Sequence, residues 1–227
     1  MSGRGFGAFG KIPATGDFFR INAPPGFVGP WDEWLQRCIV SGAHTFGEKW
    51  DELYMSVPIW RFCLSPGLAG EAKILGVLMP SVDSVGRRFP LTLAAALPKE
   101  GPLLLDHFLN SDLFARLEEI ALATLEDGAS SDALAKALEE APDPLQQPHA
   151  RFSHIDGATS VERAKTQTEL LALLAAQGPA AGNARSSVWS AALEDDLRLM
   201  ICDGLPEGPQ MQALFDLEAP LWAKEAA

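Results

Sequence analysis

Apolar residues recur at helical spacing from Pro30 onward. Trp31, Trp34, Leu35, Cys38, Ile39, Ala43, Phe46 and Trp50 follow i, i+3, i+4, i+7 steps. The pattern predicts an amphipathic helix with Pro30 in its first turn, Asp32 and Glu33 at the positive end of its dipole, and Lys49 at the other. Before it, FGAFGK predicts a short strand offering Phe6 and Phe9 to a core, broken by Pro13 and Gly16. After it, IWRFCL (59–64), ILGVLM (74–79) and LTLAAAL (91–97) read as strands; Leu91, Leu93, Ala95 and Leu97 alternate onto one face. The connections are too short for parallel crossovers, so the three strands form an antiparallel meander.

Leu105, Leu109, Leu113, Leu117, Ala121 and Leu125 lie at i+4 steps and predict one long helix over 103–127, followed by a shorter one over 131–141. The Pro-rich stretch 142–157 reads as a loop. Thr159 with Glu162 forms a capping box for a helix running to about Ala176. SVWSAAL (187–193) and DLRLMIC (196–202) read as a closing hairpin, and Met211, Leu214 and Phe215 mark a helical tail. The expectation is an α+β fold: a mainly antiparallel sheet of about five to six strands flanked by helices, with a helical insertion at about 103–176. It is read as a single domain over 1–227, with a motif-rich sheet portion (1–100), a helical portion (101–178), and a closing hairpin and C-terminal helix (185–227).

Composition narrows the function classes. Of 227 residues, 47% are apolar, enough for a sizeable core. No apolar run is long enough to span a membrane, and the N-terminus lacks an apolar signal core, so the expected location is cytoplasmic. Cys38, Cys63 and Cys202 lie far apart without C-x-x-C spacing, which predicts buried thiols in a reducing compartment. Net charge −12 argues against nucleic acid as a partner. The charge is uneven: 1–99 carries a net +2, 100–147 a net −9, and the rest −5. The acidic middle suits a solvated helical face or, alternatively, a docking surface for a basic partner.

Candidate chemistry is sparse. Gly5 to Gly10 satisfies G-x-G-x-x-G, and Gly5 to Lys11 satisfies G-x-x-x-x-G-K. Only four residues precede Gly5, Ile12 stands where a phosphate loop needs Ser or Thr, and Pro13 follows, so the glycines are read as close backbone packing in a strand. His44, His107, His149 and His154 fall in no metal-binding spacing, and no G-x-S-x-G occurs. No catalytic, cofactor or metal set emerges. What stands out is GVLMPSVDSVGRRFPLTLAAAL (76–97), where Ser81, Asp83, Arg87 and Arg88 lie between two apolar runs. Ser81 suits turn hydrogen bonding, against a role in a triad with a distant histidine. Asp83 with Arg87 and Arg88 suits an internal ion pair that fixes the loop, against an outward Arg gripping a carboxylate or phosphate bidentately. Asp17 either caps local backbone donors or meets one of these arginines. Of the adjacent Phe18 and Phe19 one is expected to face outward; Phe18, beside Asp17 and Arg20, is a candidate interface anchor.

FGKIPATGDFFR, PWDEWLQ, VPIWRFCLSPG and GVLMPSVDSVGRRFPLTLAA together resemble, in order and spacing, motifs of the TagF/ImpM family of type VI secretion-associated proteins. SSVWSAAL resembles the family's Ser-x-Trp-Trp strand, with Ser190 where a second Trp is usual, and ICDGLPEGPQMQALF resembles its closing Gly-Leu-Pro segment. The resemblance implies a cytoplasmic accessory regulator, without enzymatic activity or cofactor, that represses type VI secretion after translation by binding a forkhead-associated scaffold protein. Its alternatives are a structural or assembly component of the apparatus, or a hydrolase of unrecognised class.

Overall fold

The computed structural model describes residues 5–97, 101–145, 185–194 and 196–223, together with the backbone of 153–156 and 159–161. Strand β1 (Gly7–Gly10) and the three-residue β2 (Phe19–Ile21) lead into α1 (Val28–Phe46), a single 3-10 turn, and α2 (Trp50–Ser56). The meander follows as β3 (Trp60–Leu64), β4 (Lys73–Met79) and β5 (Leu91–Leu97). Then come α3 (Leu103–Leu109), α4 (Ser111–Leu122) and α5 (Ser131–Glu139), a small antiparallel pair β6 (Ser153–Asp156) and β7 (Thr159–Val161), the hairpin β8 (Ser186–Ala192) and β9 (Leu197–Asp203), and α6 (Pro209–Phe215).

Seven strands form one antiparallel sheet in the order β2-β1-β5-β4-β3-β8-β9. The strand beyond the expected five to six is β2, too short to show any period. Alternation divides the sheet between two cores. Phe62, Leu64, Ile74, Leu78 and Trp189 face one layer, built from α1 and α6 around Trp31, Trp34 and Leu214. Cys63, Leu75, Val77, Leu91, Leu93 and Val188 face the other, built from α3, α4 and α5. Trp31, Trp34, Trp60 and Trp189 are fully buried, and each indole N–H finds an acceptor: Thr92 Oγ1, the carbonyls of Pro206 and Leu214, and Ser187 Oγ. Truncating one of these rings to Ala costs about 3–5 kcal/mol.

Three expectations need correction. The helix predicted from Pro30 to Trp50 ends at Phe46, where Gly47 takes φ +54°, and the chain re-enters as α2. The long helix over 103–127 is broken at Asn110, whose side chain donates to Asp106 O and accepts from Leu145 N instead of continuing the helix. Thr159 is not a helix cap but the first residue of β7, so strands enter the region read as helical, and His154 sits in β6 rather than in a loop. The helix predicted after Thr159, and His149, lie outside the described residues. The decoy glycines pack closely, as expected. A Cβ at Gly7 would collide with the Asn22 carbonyl, and one at Gly10, which takes φ +134°, with that of Pro90.

Candidate functional site

The loop from β1 to β2 and the loop from β4 to β5 lie at the same end of the sheet because β1 pairs directly with β5. Asp83 joins them. Its side chain is buried, and Oδ2 accepts from Lys11 Nζ at 2.7 Å and Arg87 Nε at 2.6 Å. Oδ1 accepts from the amides of Val85 (3.1 Å) and Arg87 (2.8 Å). Burial opposes the charge on Asp83, yet Lys11, Arg87 and the two amides together outweigh it and hold the carboxyl well below the usual carboxylate range. The Arg87 guanidinium then reaches across to donate to Gly16 O at 2.5 Å, and Ser84 N donates to Thr15 O. Gly86, at φ +82°, supplies the left-handed turn that brings the Arg87 amide back to Asp83. These bonds clasp two loops more than sixty residues apart.

Arg88 leaves the clasp. It points to α2 and pairs with Asp51 at 2.6 Å, so the two arginines take different acidic partners. Tyr54, also on α2, donates to Ser81 O and accepts from Ser81 N. Ser81 thus holds the loop through its backbone; its Oγ is buried and has no partner among the described residues. Among the described residues a triad built on Ser81 therefore has no base. Asp17 is exposed and contributes only its carbonyl, to Thr15 Oγ1, so it neither caps donors nor meets an arginine among the described residues. Arg20 is exposed on β2, opposite Phe9. Phe18 is 53% exposed although its ring packs against Phe9 and Phe89 and lies 4.7 Å below Lys11 Nζ. Val85, at the tip of the other loop, is 72% exposed.

Sequence reasoning missed Lys11, Asp51 and Tyr54. Lys11 was legible only as the end of a false phosphate loop, although a cation one residue past a buried strand needs a counter-charge. It also missed His107 on α3, whose Nε2 lies 2.7 Å from Ser190 Oγ. Burial, and then the nearby Arg61 charge, push that imidazole down to about 3. Its Nδ1 is buried without a partner among the described residues. A catalytic Ser–His pair needs a basic imidazole oriented by a third group; here the ring is a weak base.

The architecture is thus an α+β domain that displays a rigid two-loop surface at one end of its sheet. Residues 7–141 match the model of the TagF N-terminal domain, described as type VI secretion system-associated, and the chain belongs to that family. Its fold is similar to the crystal structure of PA0076 from Pseudomonas aeruginosa PAO1, with 33% identity, 94% of each chain covered and a TM-score of 0.78. A comparison with curated proteins gives no match. No described helix is long and apolar enough to cross a membrane.

Proposed function

We propose that the chain is a cytoplasmic, non-enzymatic accessory regulator of type VI secretion, and that it represses after translation by stoichiometric binding of a forkhead-associated scaffold protein. The observation that carries this reading is how the clasp spends its charges. Lys11, Asp83 and Arg87 are tied up in holding the two loops together, and the large apolar side chains those loops offer outward are Phe18 and Val85, beside exposed Asp17 and the 60% exposed side chain of Arg87. A pre-ordered surface with an aromatic anchor suits binding, because little entropy is lost on docking. Family membership supplies the secretion context.

The test is capture of the scaffold by tagged protein from cells carrying the secretion locus, followed by co-sedimentation with assembled apparatus. A repressor binds scaffold and stays out of the sedimenting apparatus. A structural component sediments with it. Failure to recover scaffold under conditions that permit secretion control defeats the proposal. The hydrolase alternative has one observation behind it, the contact between His107 and Ser190. The weak basicity of that ring argues against it, and loss of a model ester under purified protein, abolished by Ser190→Ala, would revive it.

A further inference from the structure

The seven-stranded sheet has one short edge and one long one. β2 ends it with three residues, and β9 ends it with seven. The hydrogen-bond pattern of β9 fixes which of its backbone groups face outward. Leu193 N donates to Asp196 O and Gly204 N donates to Arg185 O at the two ends of the hairpin, and the register between runs without a shift. Alternation then assigns Arg198, Met200 and Cys202 to the bonds with β8, and turns the N–H and C=O of Leu197, Leu199, Ile201 and Asp203 away from it. Asp196 covers the first of these by accepting from Leu197 N, and its carboxylate also pairs with Arg198. Among the described residues nothing covers the groups of Leu199 and Ile201.

The strand Leu-Arg-Leu-Met-Ile-Cys-Asp contains no Pro or Lys to blunt the edge; its charges are Arg198, paired with Asp196, and Asp203 at its end. Three of its four side chains on the α3 side are apolar, Leu197 at 76% and Leu199 at 44% exposed with Ile201 half-buried beside them, and the fourth is the exposed Asp203. Such an edge takes an extended strand, and its own sequence is a fitting one.

We propose that β9 pairs antiparallel with β9 of a second copy about a two-fold axis at Met200, joining two sheets into one. This register sets Leu199 opposite the second copy's Ile201, in the closely bonded type of pair, so that outward groups meet outward groups. Four main-chain bonds form there. Leu197 falls opposite Asp203, and Arg198 opposite Cys202, so no like charges are opposed and the apolar side chains meet across the axis. The interface is isologous, as a closed dimer requires. The chain's net charge of −12 opposes association at long range, so salt strengthens the dimer while leaving these bonds intact. The inference does not depend on the proposed regulatory role.

Sedimentation velocity of the full chain over a range of concentrations, at low and at about 0.15 M salt, tests it. The expected result is a concentration-dependent species of twice the chain mass, favoured by salt. Ile201→Pro removes an outward amide that β8 does not use, and costs the dimer two hydrogen bonds. It is expected to weaken association by roughly 10–100-fold. Leu199→Lys, at an exposed position, is expected to do the same by placing like charges near the axis, and decides the matter if the proline variant fails to fold. Amide exchange at Leu199 and Ile201 is expected to slow as concentration rises. A monomer at every concentration and salt overturns the proposal, as does a dimer unaffected by either folded variant.

Discussion

His107 shows how a single buried side chain sets acid sensitivity. Its ring is held down at about 3 against an ordinary 6.5, first by burial and then by Arg61. Between those values an unfolded chain binds a proton that the native protein refuses. Stability therefore falls as pH drops below about 6.5, by up to about 1.4 kcal/mol per pH unit. Urea melts between pH 7 and pH 4 are expected to show that slope, and His107→Gln is expected to flatten it. A slope unchanged in the variant would assign it elsewhere. Asp83 adds a second, lower window: its depressed carboxyl stabilises the fold above 3.8, and that contribution is lost as pH falls from there toward its lower native value. Neither effect was legible in the sequence. His107 reads as one more residue of an acidic helix, because its partner Ser190 lies 83 positions away. Asp83 was legible as an ion-pair centre through its spacing to Arg87, but Lys11, 72 positions distant, was not.

At the level of elements, period carried the reading where one force dominated. The stripe from Trp31 to Cys38 follows from burial on one helix face, and the alternation in 91–97 from the leucines facing one core and small residues, Thr92 and Ala94, the other; the structure has both. Asn110 defeated the same logic because the Leu spacing runs straight through it. The break is set by a tertiary bond to Leu145 that no local pattern encodes. A similar hidden tie positions α3. Lys73, at the buried start of β4, donates to Asp106 Oδ2 at 2.6 Å and to Gly101 O, fixing the helix against the sheet. Removing one member of such a pair strands a buried charge, so Lys73→Met is expected to cost about 3–5 kcal/mol. The double variant Lys73→Met with Asp106→Leu is expected to recover most of that loss in chemical denaturation, since two apolar groups need no partner. A double variant no better than the single would mean that the tie to Gly101, not the charge pair, holds α3.

The whole molecule offers two contrasting surfaces to a partner. One is the end of the sheet, where the front part of the chain carries a slight positive excess and Phe18 and Val85 project from the clasp. The other is the acidic helical layer, where Glu126, Asp127 and Glu140 are exposed and Leu122 and Leu125 are each half-open. Charge alone favours the helices for a basic partner, whereas rigidity favours the clasp: its loops are bonded to each other, and Glu126 to Gly128 form a free-standing turn. Rigid aromatic anchors dominate binding energies, while charges at a solvated rim mostly change rates of encounter. Phe18→Ala combined with Val85→Asp is therefore expected to weaken scaffold capture at least ~10-fold, the effect of losing about 1.4 kcal/mol. Glu126→Lys with Asp127→Lys and Glu140→Lys is expected to change it less than ~3-fold at about 0.15 M salt. The acidic-layer variant changes exposed side chains only, whereas Phe18→Ala also removes ring contacts with buried Phe9 and Phe89 and with Lys11, so equal melting temperatures in the two qualify the comparison. The reverse ranking in a titrated pull-down would move the interface to the helices and leave the clasp with a purely architectural role.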